Sequence, residues 1–99
     1  MNSHNTQGPM TLFRIFVEDI GDRNTLRELV RNSFVSGATI SYGEGFWEGQ
    51  REQVAIIEVY GAESLRGTIN VLATKLRVAF NQKVVAVAEH NDRVSFYQV

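Results

Sequence analysis

The chain has 99 residues and no cysteine, so it carries no disulfide framework and no thiolate metal or redox centre. A single proline, Pro9, leaves helices and strands almost uninterrupted. One tryptophan, Trp47, is present. No apolar run exceeds a handful of residues, whereas a membrane span needs roughly 20. The first ten residues hold no apolar stretch of the signal-peptide kind. An excess of one charge is also missing: ten basic and eleven acidic side chains give a net charge of −1. That balance argues against bulk electrostatic binding to nucleic acid. What is present is an ordinary globular composition, 43% hydrophobic and 21% charged. A single small cytoplasmic domain without a membrane partner is the expectation.

Met1–Met10 is polar, without periodicity, and reads as a flexible tail ahead of a domain over residues 11–99. His4 has no partner there at metal-ligand spacing. Thr11 to Glu18 reads as a strand, with Phe13, Ile15 and Val17 on one face. A turn follows, then a helix from near Asn24 or Thr25, with Thr25 and Glu28 at capping-box spacing. Leu26, Leu29, Val30 and Phe34 form its apolar stripe. Ala38 to Tyr42 is a second strand, and Tyr42 to Gln53 a glycine-rich connector. Val54 to Tyr60 is a third strand. Ser64 to Phe80 is the longest helix, with Leu65, Ile69, Leu72, Leu76 and Phe80 at helical spacing. Lys83 to Glu89 is a fourth strand, Asn91-Asp92 a turn, and Arg93 to Val99 a fifth strand. The order β-α-β-β-α-β predicts an α+β, ferredoxin-like sheet with both helices on one face and an extra C-terminal strand.

Two helices cover one face only, yet the strands are apolar on both. Leu12 and Phe16 lie opposite Phe13, Ile15 and Val17. Val54, Ile56 and Tyr60 lie opposite Ala55, Ile57 and Val59. An open apolar sheet face marks an interface. The preferred reading is self-association over folding-back of the extra strand and tail.

The connector packs Gly43, Gly45, Gly49, Phe46, Trp47 and Arg51 into a few residues. One reading is a binding loop, mobile until a ligand orders it, with aromatic faces for a planar group and Arg51 for an anion. The other is a twisted hairpin whose Trp47 locks a subunit interface. Both stay open. Arg14 and Glu58 are charges mid-strand among apolar neighbours, natural cross-strand partners, and either ligand-binding groups or an interface salt bridge. Arg23, Arg27 and Arg31, four apart, read as a solvated stripe paired with Glu28. Glu44, Glu48 and Glu52, also four apart, lack the His or Cys that would make a metal site readable. His90 reads as a turn residue.

The strand and helix order, the long connector after strand two and the trailing strand resemble the PII-like and CutA-like ferredoxin-fold proteins. The resemblance implies a trimer. For PII members it implies adenine nucleotides held between subunits, with the connector as a ligand-sensing loop. Gly37-Ala38-Thr39-Ile40, Gly43-Glu44-Gly45-Phe46-Trp47 with Glu52, and Phe80-Asn81-Gln82-Lys83-Val84-Val85 are similar to a pattern in small uncharacterised bacterial and phage proteins. The expected function is a non-enzymatic homo-oligomer, a trimer by preference, holding a small anionic, nucleotide-like ligand between subunits without a cofactor or a metal. Small phage proteins that sequester signalling nucleotides are similar in size and assembly. The alternatives are a dimeric α+β-barrel enzyme for a small aromatic or quinone-like compound, using Arg14, Glu58, Tyr60 and His90, and a protein-interaction module. An RNA-binding reading is disfavoured, because the third strand lacks stacking aromatics.

Overall fold

The computed structural model describes residues 5–33 and 35–97. Four strands, β1 (Asn5–Glu18), β2 (Thr39–Trp47), β3 (Gln50–Gly61) and β4 (Ala86–Tyr97), form one antiparallel sheet in the order β2-β3-β1-β4. Helices α1 (Arg23–Arg31) and α2 (Arg66–Ala79) make the connections, α2 preceded by a 3₁₀ turn at Glu63–Leu65. This is the expected ferredoxin-like α+β fold.

Strand alternation explains the core. Phe13, Ile15 and Val17 of β1 and Ala55, Ile57 and Val59 of β3 point to the helix side and are buried. They meet Leu26 and Val30 of α1 and Ile69, Leu72, Ala73 and Leu76 of α2, with Phe80 just past the end of α2. Both apolar stripes therefore land where their spacing puts them; Phe34 lies outside the described residues. Arg66 at the start of α2 grips Glu89 of β4 through two nitrogens, at 2.7 and 2.9 Å, and reaches Glu63 at 3.2 Å. The planar guanidinium suits this two-point grip, which lowers the Glu89 pKa and raises that of Arg66.

The start of α1 corrects the expected capping box. Asp22 is the N-cap: its carboxylate accepts from the Thr25 backbone N–H at 3.2 Å and from the Thr25 hydroxyl at 2.7 Å. Thr25 is thus inside the first turn, and Glu28 pairs with Arg31 at 3.2 Å. The arginine stripe splits. Arg27 bonds Asn24 at 2.9 Å. Arg23 binds Asp19 at 2.8 Å and lies 3.6 Å from the ring centroid of Tyr42.

The two ends of the chain differ from expectation. The turn at Asn91-Asp92 and a separate fifth strand do not form. Strand β4 runs straight through, pairing Asn91 with Thr11 and Asp92 with Met10. The Thr11 hydroxyl donates to Asn91 Oδ1 at 3.3 Å, and pairing with β1 overrides the local turn preference. For the same reason residues 5–10, read as tail, are strand: Asn5 pairs with Tyr97. Met1–His4 and Gln98–Val99 lie outside the described residues. Strand β3 stops at Gly61, opposite Thr11, so residues 5–10 pair with β4 alone as a two-stranded ribbon. The ribbon lengthens a molecule of 53 × 27 × 23 Å. Among the described residues no helix is long and apolar enough to cross a membrane.

Candidate functional site

The glycine-rich segment is a hairpin, not a loop. Strand β2 continues to Trp47, β3 begins at Gln50, and Trp47 pairs with Gln50 across a two-residue turn. Both turn residues have positive φ, 50° at Glu48 and 79° at Gly49. That is the geometry whose twist matches antiparallel strands, and glycine adopts it without strain. The residues between strands therefore alternate by face. Phe46 and Arg51 are partners on the helix side; Trp47, Gly45, Gly43, Glu52 and Val54 lie on the opposite, open face. Phe46 and Trp47 are 72% and 60% exposed, on opposite faces of one ribbon. Trp47 and Arg51, expected to share a ligand, are thus separated by the hairpin itself. Glu44, Glu48 and Glu52 diverge as well: one on each face and one in the turn. Among the described residues no three His, Cys, Asp or Glu side chains are placed to hold a metal.

The open face is built of rows running across the strands. Tyr60, Leu12 and His90 form one row. Glu58, Arg14 and Ala88 form the next, and Ile56, Phe16 and Ala86 the third. Val54 and Glu18 follow. Within the second row Arg14 Nε donates to Glu58 Oε2 at 2.8 Å, so these charges are partners as their positions suggested. The pair is half-exposed, as are its apolar neighbours Phe16 and Ile56, while Leu12 is buried. Tyr60 and His90 sit one row further on, away from the hairpin tip. His90 is a strand residue, paired with Leu12, and not a turn residue.

At the hairpin end of this face lies a groove of about 390 Å³. Its walls come from three separated segments. Phe16 and Glu18 end β1; Trp47, Glu52 and Val54 belong to the hairpin; Asn81, Gln82 and Lys83 form the α2–β4 connection, followed by Val84 and Ala86. Glu52 faces Gly45, and Glu18 faces Val54, so Glu52 lies on the diagonals to both Trp47 and Glu18. Such diagonal positions are ~7–8 Å apart. The result is an apolar, aromatic cleft whose lining holds two carboxylates, Glu18 and Glu52, and a single ammonium, Lys83. Sequence reasoning gave Trp47 a candidate binding role, placed Asn81-Gln82-Lys83 only within a pattern similar to other small proteins, and assigned no role to Glu18. The usable signal was the Glu48-Gly49 dipeptide: read as a two-residue turn, it sets the register and puts Trp47 beside Glu52. Two further clefts lie on the helix side, one between the end of α1 and α2 and one between α1 and β2. Neither contains a residue expected to act.

Solved structures share this architecture. CPII, a nitrogen regulatory PII-like protein from Thiomonas intermedia K12 with ADP, AMP and bicarbonate bound, matches with a TM-score of 0.64 and 18% identity over 90% of this chain and 96% of that one. A phage SAM lyase in its apo state matches with a TM-score of 0.65 and 22% identity over 89% of each chain. CutA from Synechococcus elongatus PCC7942, complexed with Bis-Tris, matches with a TM-score of 0.62 and 10% identity over 96% of this chain and 89% of that one. The likeness is one of fold, and it bears out the PII-like and CutA-like architecture. The sequence matches no protein-family model and no curated protein.

Proposed function

We propose that this chain is a homo-oligomeric, non-enzymatic binding protein, a trimer by preference, that holds a small nucleotide-like molecule in the groove under the hairpin tip. The observation that carries the proposal is Trp47. An indole 60% exposed, on the same face as Phe16 and at the lip of a groove of about 390 Å³, is a stacking platform without an occupant among the described residues. The ligands named for two fold neighbours share an adenosine: ADP and AMP in CPII, and SAM (S-adenosylmethionine) for the phage lyase. An adenine ring has the flat face that Trp47 and Phe16 would take. The apolar rows beside the groove, left uncovered by the two helices, supply the surface for a second copy. For an anionic ligand the groove's own cation is Lys83, since Arg51 is on the far side of the hairpin.

The test combines sizing and binding on the same samples. Sedimentation should give an assembly, and adenosine or AMP should quench the single-tryptophan fluorescence saturably. Trp47→Ala should abolish calorimetric binding of the same compounds while the fold persists. A monomer at micromolar concentration, or unchanged binding by Trp47→Ala, would overturn the proposal.

One observation favours a second reading, an enzyme acting on an adenosyl compound. Glu52 is half-buried between Trp47 and Glu18, where a carboxylate could take a proton from a molecule stacked on the indole. Incubation with SAM followed by chromatography decides it: turnover lost in Glu52→Gln supports the enzyme, and intact SAM refutes it.

A further inference from the structure

The groove has a charge character of its own. Its lining holds two carboxylates, Glu18 and Glu52, and no arginine. Both carboxylates lack the neighbour that neutralises a strand charge. Glu52 faces Gly45, which has no side chain, and Glu18 faces Val54. Among the described residues neither has an ion-pair or hydrogen-bond partner, whereas Glu58, Glu63, Glu89, Asp19 and Glu28 are each paired with an arginine. Arg14, the nearest cation along β1, is held by Glu58 at 2.8 Å. The indole beside Glu52 adds the negative potential of an aromatic face. Two unpaired carboxylates and an open π-face converge on one cleft.

From this we infer that the ligand carries a positive centre next to its flat ring, and that Glu52 and Glu18 recognise that centre. The inference rests on the groove being the binding site. It names the chemical class of the occupant: an adenosine-like molecule with a cationic substituent, not the anionic one that Arg51 in the connector suggested. Lys83, in the α2–β4 connection that also lines the groove, disfavours a cation placed next to it, so the positive group is expected on the hairpin side, at Glu52.

The experiment uses one nucleoside in three charge states. 5′-Amino-5′-deoxyadenosine, adenosine and AMP are titrated into the intact protein at low salt and followed calorimetrically. The amine should bind at least tenfold more tightly than adenosine, and AMP more weakly than adenosine. In Glu52→Gln and in Glu18→Gln the amine-to-adenosine ratio should fall toward one. Glu44→Gln, which alters a carboxylate on the opposite face of the hairpin, should keep the full ratio. Added salt should shrink the preference, because partly exposed charges are screened over about 8–10 Å. AMP binding as tightly as the amine, or a ratio unmoved by both groove variants, overturns the charge inference and leaves the groove reading standing. If none of the three compounds binds, the groove reading fails and the inference falls with it.

Discussion

The ion pair of Arg14 and Glu58 offers a quantitative test of whether the open face is covered. Their side chains are 43% and 32% exposed in the single chain, and the pair sits in the middle of the face. Left in water, such a pair contributes ~0–1 kcal/mol. Under a second copy it would be desolvated, and removal of one partner would strand the other charge at a cost of ~3–5 kcal/mol. Because 1.4 kcal/mol is about tenfold in an equilibrium constant, the two situations differ by roughly two orders of magnitude in association. Glu58→Gln keeps size and shape and leaves Arg14 unpaired. It should change the stability of the isolated chain by no more than ~1 kcal/mol and lower the association constant by ~100-fold or more.

Replacing both partners separates charge from packing. Arg14→Met with Glu58→Leu removes both charges and adds apolar surface, so assembly should recover or strengthen. The assay is sedimentation velocity over a range of protein concentrations, paired with urea unfolding at two of them. Unfolding of an obligate assembly shifts with concentration and that of a monomer does not. If the protein assembles and Glu58→Gln leaves association within a few fold of the parent, the subunits meet elsewhere and the reasoning from the open face is wrong.

Three further outcomes follow from particular contacts. Asp22 and Asp19 have depressed pKa values, Asp22 through the Thr25 hydroxyl and Asp19 through Arg23; their contribution is full above the unfolded carboxyl value of about 4 and is lost as pH falls through the lower folded values. Thermal melts should therefore weaken below about pH 4, and Asp22→Asn should flatten that slope while keeping the cap; an unchanged slope counts against it. Tyr42 has a buried hydroxyl without a hydrogen-bond partner among the described atoms, so Tyr42→Phe should leave stability unchanged or raise it by up to ~1 kcal/mol, and a loss in urea unfolding contradicts the geometry. Gly49 at φ 79° has open space around it, so Gly49→Ala should cost ~1–2 kcal/mol from backbone strain alone; altered Trp47 fluorescence with little change in the core melt is expected, and an unaffected hairpin refutes the turn assignment.

Periodicity made the core legible in the sequence. The steps from Ile69 to Leu72 to Leu76 and the alternation of Phe13, Ile15 and Val17 each admit one packing solution. The Arg14–Glu58 partnership was legible for the same reason, since both are mid-strand and on the face opposite the core. The hairpin was legible only as one of two open readings, because Gly43, Gly45 and Gly49 look alike in composition but differ in role. Only Gly49 is in the turn; Gly43 and Gly45 are strand residues that leave space over β3. The Asn91-Asp92 signal was local and lost to twelve paired positions between β1 and β4. The groove was illegible for a different reason. Glu18, Trp47 and Lys83 are far apart in the chain, and their meeting depends on the sheet order and on where the hairpin ends.

Phe16 joins the two halves of the functional proposal. It belongs to the apolar row with Ile56 and Ala86, and it lines the same groove as Trp47. A copy that covers the row therefore reaches the groove wall, and a molecule in the groove touches a residue of the interface. Two equilibria that share side chains are linked, and the coupling is reciprocal. A ligand seated there adds contact surface to both copies, so it should strengthen assembly. At a hundredfold excess over its dissociation constant the gain is ~2.7 kcal/mol per site. Phe16→Ala should then weaken assembly and ligand binding together. Phe46→Ala, on the opposite face of the hairpin and 72% exposed, should weaken neither. Melting temperatures measured across protein and ligand concentrations read both effects at once. If Phe16→Ala lowers assembly but spares binding, the groove is complete within one chain, and the second copy contributes nothing to it.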